Sequence, residues 1–162
     1  MIEGILAAVG MGLFYSYLIY IICNFGIPKS LSESYYLLGK AGVLFIVMMF
    51  STAMLLFPAM MRLTPSDYGI VGFVIPSAII FVGASPMFKE KEEGRVHKTS
   101  ALLSAAWAVL WVAFLTPCCR ILLYVALLMS FLALVSRTWK CYIWWLEMVA
   151  FNSVFVTLFC LL

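Results

Sequence analysis

Polar residues interrupt this chain only in short segments, leaving six apolar stretches of about 20 residues joined by loops of at most 15 residues. A helix rises about 1.5 Å per residue, so roughly 20 apolar residues cross the ~30 Å hydrocarbon core while every backbone amide is bonded within its own helix. The pattern predicts spans at Ile5–Phe25, Ala41–Met61, Gly69–Phe88, Thr99–Pro117, Cys118–Ser136 and Cys141–Leu162. The fold class expected is therefore all-α: a polytopic membrane protein with a single domain, a bundle of six transmembrane helices. The fourth and fifth spans are separated only by the segment around Pro117 and Arg120. Proline lacks an amide hydrogen and clashes with the preceding turn, and arginine reaches for the interface, so a break is expected there. Composition agrees with the pattern: 66% of residues are hydrophobic and 10% charged, against about a quarter charged in ordinary globular chains.

Charge then orients the bundle. Loops one, three and five hold Lys29, Lys40, Lys89, Lys91, Arg95, Lys98, Arg137 and Lys140, whereas loops two and four hold only Arg62 and Arg120. Basic residues in short loops stay on the cytoplasmic side, which places the odd-numbered loops inside and both termini outside the cytoplasm. The first span has no basic segment before it and exceeds the apolar core of a signal peptide, so it is expected to remain in the mature protein.

Small residues suggest where helices meet. Lipid tails are as apolar as leucine, so helices in a bilayer associate through close backbone approach and a few hydrogen bonds. Gly4, Ala8, Gly12 and Ser16 recur every four residues and predict a packing seam on the first span; Ser100, Ser104 and Ala108 predict a shorter one on the fourth. Pro58, Pro76 and Pro86 are expected to bend or end their helices. Trp139, Tyr142, Trp144 and Trp145 read as an aromatic belt at the membrane surface.

Chemistry-bearing residues are few. The five cysteines fall in or beside apolar spans without zinc or iron–sulfur spacing and read as small buried hydrophobes; a single histidine excludes a multi-histidine metal site. No metal, no cofactor and no nucleic-acid partner is expected. Glu147 is the ionisable residue that lies well inside a span, seven residues past Lys140, or about 10 Å below the cytoplasmic end of the sixth helix. Left in lipid it would cost a few kcal/mol, so it is expected to face the bundle, to be paired or to be protonated, and it marks a candidate site. On the same side lie the hydroxyls of Ser32, Ser34 and Tyr35 in loop one, His97 before the fourth span, and the cations Lys40, Arg95 and Lys98. A carboxylate near a histidine favours the imidazolium, and the cations suit an anionic lipid headgroup. The charge run Lys89–Glu93 reads as a solvated loop. Asn152, five residues past Glu147, should point elsewhere.

Two segments carry a family resemblance: Lys29-Ser30-Leu31-Ser32-Glu33-Ser34-Tyr35 after the first span, and Phe81-Val82-Gly83-Ala84-Ser85-Pro86 followed by Gly94-Arg95-Val96-His97. With these, the chain resembles a group of six-span bacterial membrane proteins of unknown function that is distantly similar to the Frag/DRAM/Sfk membrane proteins. In that group the third span ends in a Gly-x-Phe-Pro motif and a histidine opens the next; here Ser85 replaces the aromatic residue. The resemblance implies residence in the bacterial inner membrane and lipid-associated or regulatory work, and carries no catalytic assignment. Three functions follow as expectations. The first is binding of a lipid headgroup or protein partner, or self-association, at a cytoplasmic-side pocket made by loop one, loop three and Glu147. The second is proton-coupled transport through Glu147. The third is lipid modification at the interface through His97, which ranks below binding because no strained nucleophile turn is present.

Overall fold

A computed structural model describes residues 2–115 and 141–162, together with Tyr124, Leu128 and Phe131 between them. These residues are helical, with no strand among them. Helix α1 runs over Ile2–Phe25, the short α2 over Glu33–Leu37, α3 over Val43–Leu63, α4 over Gly69–Ala84, α5 over Lys91–Leu115 and α6 over Tyr142–Leu161. Single 3₁₀ turns, Gly39–Ala41 and Ser66–Tyr68, lead into α3 and α4. Five segments among the described residues are long and apolar enough to cross a membrane: Ile2–Phe25, Gly39–Leu63, Ser66–Ala84, Lys91–Ala113 and Tyr142–Leu161. Apart from Tyr124, Leu128 and Phe131, the expected fifth span, Cys118–Ser136, lies outside the described residues, as do Pro117, Cys119, Arg120, Arg137, Trp139 and Lys140.

The helix ends follow local chemistry. Gly26 takes a φ of 76° and returns its amide to the Ile22 carbonyl at 3.0 Å, a left-handed cap that a glycine adopts without steric cost. Thr64 is extended because a residue before proline avoids the helical region, and Pro65 follows it. Ser85, before Pro86, leaves the helical region in the same way, so α4 stops at Ala84, short of the expected Phe88. Helix α5 in turn begins at Lys91 instead of Thr99, so most of the charge run expected to be a loop is its first turn. Glu92 and Glu93 sit there, where the free amides of a helix start favour negative charge. Pro58 and Pro76 lie inside α3 and α4, and both helices continue through them.

Neighbours in sequence pack as neighbours in space: α1 on α3, α3 on α4 and α4 on α5, with α6 against α5, α1 and α3. Phe14 of α1 meets Phe151 and Phe155 of α6, with ring centroids 4.4 and 5.3 Å apart, and the Tyr15 hydroxyl donates to Asn152 Oδ1 at 2.6 Å. Asn152 thus faces α1, away from Glu147, as its position on the helix predicts. At one end of the bundle Arg62 pairs with Glu3 at 2.9 Å, and Trp111 Nε1 donates to Thr64 Oγ1 at 2.8 Å. Loops one and three and the start of α6 gather at the other end.

Three expectations about helix faces need correction. The buried face of α1 is Ala7, Gly10, Phe14, Tyr17 and Ile21, while Ala8, Gly12 and Ser16 of the expected seam are exposed. Trp144 is buried, its amide bonded to the Lys29 carbonyl at 3.1 Å, so it belongs to the core; Tyr142 and Trp145 remain outside. Cys23 and Cys160 are free thiols on the outer surface, where enclosure was expected. By contrast Ser100 and Ala108 are buried in the bundle, as the shorter seam on α5 predicts.

Close approach can be tested against open space. A Cβ at Gly83 would lie 2.9 Å from Met49 Cβ, an atom fixed to the α3 backbone, whereas a Cβ at Gly12 would meet nothing within 4 Å. Gly83→Ala should therefore destabilise by about 1–3 kcal/mol through overpacking. Gly12→Ala should stay within about 0.5 kcal/mol. Denaturation in detergent micelles measures both, and an equal response would refute the assignment of helix faces.

Candidate functional site

Loop one is tucked in among the helices. Leu31, Ser32 and Ser34 are each 3% exposed or less, so their backbone and hydroxyl groups need partners from the protein. Three helices supply them, and a fourth supports one of the partners. The Leu31 amide donates to Glu147 Oε2 of α6 at 2.5 Å. The Tyr17 hydroxyl of α1 lies 2.5 Å from Ser34 Oγ, which donates to the Leu31 carbonyl at 2.5 Å. Ser32 Oγ lies 2.8 Å from His97 Nε2 of α5, and His97 Nδ1 lies 2.9 Å from the Ser85 carbonyl at the end of α4. A carbonyl can only accept, so Nδ1 carries the hydrogen; in the neutral ring Nε2 then accepts from the Ser32 hydroxyl. Phe88 stacks on the imidazole at a centroid distance of 5.1 Å and holds its plane.

Beneath this polar layer lies a partly open cavity of about 150 Å³ between α3, α4, α5 and α6. Its wall extends along α3 from Met49 to Met60, which is about 16 Å of helix axis. Ala101, Ala105 and Ala108 make room for it on α5, and Pro76 and Ile79 face it from α4. The polar side chains in the wall, among the described residues, are Ser32, Ser104 and Glu147. A void of this volume is enough for a benzene-sized ligand, and its elongation suits one alkyl segment.

Of the eight residues expected to form a ligand site, the structure brings Ser32, Ser34, His97 and Glu147 into one buried layer. His97 bonds to the loop-one hydroxyl, and Glu147 bonds to the adjacent residue's amide. Tyr35 packs edge-on against Phe45 and fills the space beside Gly42. Lys40, Arg95 and Lys98 are exposed and absent from the cavity wall, where they can meet only what lies at the bundle surface. Lys89 reaches Glu33 at 3.4 Å and lies 4.0 Å over the Tyr36 ring, joining loops one and three at the rim. Sequence reasoning missed Tyr17 and Ser85. Ser85 contributes its carbonyl, a group every residue carries, and Tyr17 is one tyrosine among several in an apolar run.

No family model matches this chain, and neither a curated protein nor a solved structure matches it.

The Ser32–His97 bond has a measurable signature. A double-mutant cycle with Ser32→Ala and His97→Gln should show a coupling of about 1 kcal/mol or more, the scale for contacting buried polar groups. Pairing Ser32→Ala with Lys40→Ala should give additive effects within about 0.5 kcal/mol. Additivity in the first cycle would mean that the two side chains do not interact.

Proposed function

We propose that this protein holds a single-chain amphiphile within the membrane, its tail in the cavity between α3 and α6 and its head at the layer formed by Ser32 and Glu147. The cavity carries this reading: an elongated apolar void closed at one end by hydrogen-bonding groups matches a molecule with the same division. Loop one forms the cover, since its residues Leu31 and Ser32 line the void while its bonds run to α6 and α5. Lys29, Lys40, Lys89, Lys91, Arg95 and Lys98 cluster at the cover's end of the sequence pattern, so that end faces the cytoplasm under the positive-inside rule. Being exposed, these cations attract the anionic leaflet as a whole and draw the protein's rim toward its headgroups.

Acyl transfer at Ser32 is the weaker reading, although Ser32 and His97 stand at the distance of a nucleophile and its base. A tetrahedral oxyanion needs free donors beside the nucleophile. The amides around Ser32 are already engaged: Leu31 with Glu147, Glu33 with the Ser30 carbonyl at 3.1 Å, and Ser34 with the Leu31 carbonyl at 3.1 Å. Proton-coupled transport keeps one supporting observation, because Glu147 ties the cover shut through the Leu31 amide. In that case Glu147→Gln would abolish pH-dependent flux in proteoliposomes.

Filling the void tests the binding reading. Ala105→Phe places a ring in the cavity from α5. A fluorescent single-chain amphiphile should bind the purified protein and lose at least tenfold in affinity to the variant, which is about 1.4 kcal/mol. Unchanged binding by a folded Ala105→Phe protein would place the probe elsewhere.

A further inference from the structure

We infer that the molecule held in this cavity carries a positively charged amine head, an ammonium on a single alkyl chain, and is not a phospholipid or a fatty acid. The inference rests on the reading of the cavity as an amphiphile site and concerns which head it selects. The lining decides the sign. Among the described residues no lysine, arginine or histidine contributes to the wall, and its polar side chains are two hydroxyls and one carboxylate. Phosphate and carboxylate heads are acceptors and need donors, preferably cationic ones; this wall offers them a carboxylate instead. An ammonium has three donors and no acceptor, the complement of such a wall.

The hydrogen bonds already made leave that complement open. Glu147 accepts the Leu31 amide through Oε2, and a carboxylate has about four lone-pair sites in all. Among the described residues no lysine or arginine pairs with it, although it lies more than a turn inside α6. An acidic side chain in a membrane-spanning helix is costly and marks a candidate site, and one backbone amide neutralises no charge on it. Ser32 gives its hydrogen to His97 and keeps lone pairs for a donor. The cations expected to recognise an anionic head, Lys40, Arg95 and Lys98, all lie on the outside. Ammonium and tail fit together because Glu147 and Ser32 cap one end of the void while Leu56, Met60 and Ile75 line its far portion.

Competition against a neutral fluorescent alkyl probe tests this on the full-length protein in non-ionic detergent, with dodecylamine, dodecanol and dodecanoate as competitors of equal tail length. The amine should displace the probe at a concentration at least tenfold below that of the acid, with the alcohol between them. In Glu147→Gln, which keeps the hydrogen-bonding shape and removes the charge, amine and acid should come within threefold of each other, each ranked against dodecanol on the same variant. Equal or better competition by dodecanoate in the wild type overturns the inference, whatever the variant does. An amine preference that survives in a folded Glu147→Gln protein overturns it too, by locating the selectivity elsewhere. If the probe does not bind the folded wild-type protein, the amphiphile reading itself fails and takes this inference with it; if the probe binds and only the ranking fails, the cavity reading stands.

Discussion

The backbone of loop one lies among helices, where water cannot satisfy it, and the hydrogen bond from the Leu31 amide to Glu147 is the contact on which the arrangement turns. An unpaired amide in such surroundings costs several kcal/mol, and so does a carboxylate without a partner. Each group removes part of the other's penalty. The bond also sets the depth of loop one, because Glu147 is five residues along α6, about 7 Å of rise below its first residue. Loop one must descend that far to reach it. Once there, Ser32 and Ser34 are carried below the surface and need His97 and Tyr17.

Glycine marks both ends of the descending segment. Gly26 closes α1 and Gly39 opens the turn before α3, with φ values of 76° and 54°. Both positions require a left-handed backbone, which lets the chain reverse sharply out of one helix and into the next. Between them, one residue after another is handed to a different helix: Lys29 and Leu31 to α6, Ser32 to α5, Ser34 to α1. Helix packing in lipid lacks the hydrophobic drive available in water, so a cross-linking segment of this kind contributes cohesion that small-residue contacts do not. The aromatic contacts of Phe14 with Phe151 and Phe155 act lower in the bundle, between α1 and α6.

What could be read from the sequence divides along a physical line. Length and apolarity located the helices to within a few residues at α3 and α6, because the membrane imposes a span length on any helix that crosses it. The convergence of Ser32, His97 and Glu147 was legible too, since loops of one charge class and a carboxylate near the same interface share a depth. Rotation of each helix about its axis was not. In water the buried face announces itself by polarity; here Ala8, Gly12 and Ser16 face outward and Ala7, Gly10 and Phe14 inward, and both stripes are apolar or small. The same lack of contrast hid Trp144, which a belt of aromatic residues disguises as a surface group. Backbone partners were unreadable for another reason: the Leu31 amide and the Ser85 carbonyl exist at every position and leave no mark on residue choice.

Glu147 therefore holds two positions at once, as anchor of the cover and as the acidic element of the cavity wall. These roles are linked by the chemistry of one carboxylate. A donor arriving from the cavity shares the negative charge with the Leu31 amide, and each such bond draws electron density that the other would otherwise receive. In the proposed complex the head and the Leu31 amide would therefore compete for one carboxyl group. Ser32, bound to His97 of α5, borders the same cavity, so a head that reaches Glu147 also meets this second attachment. Ser34, tied to Tyr17 of α1, and Lys29, whose carbonyl holds the Trp144 amide of α6, stand outside the cavity wall, and these attachments keep loop one in register whatever occupies the cavity.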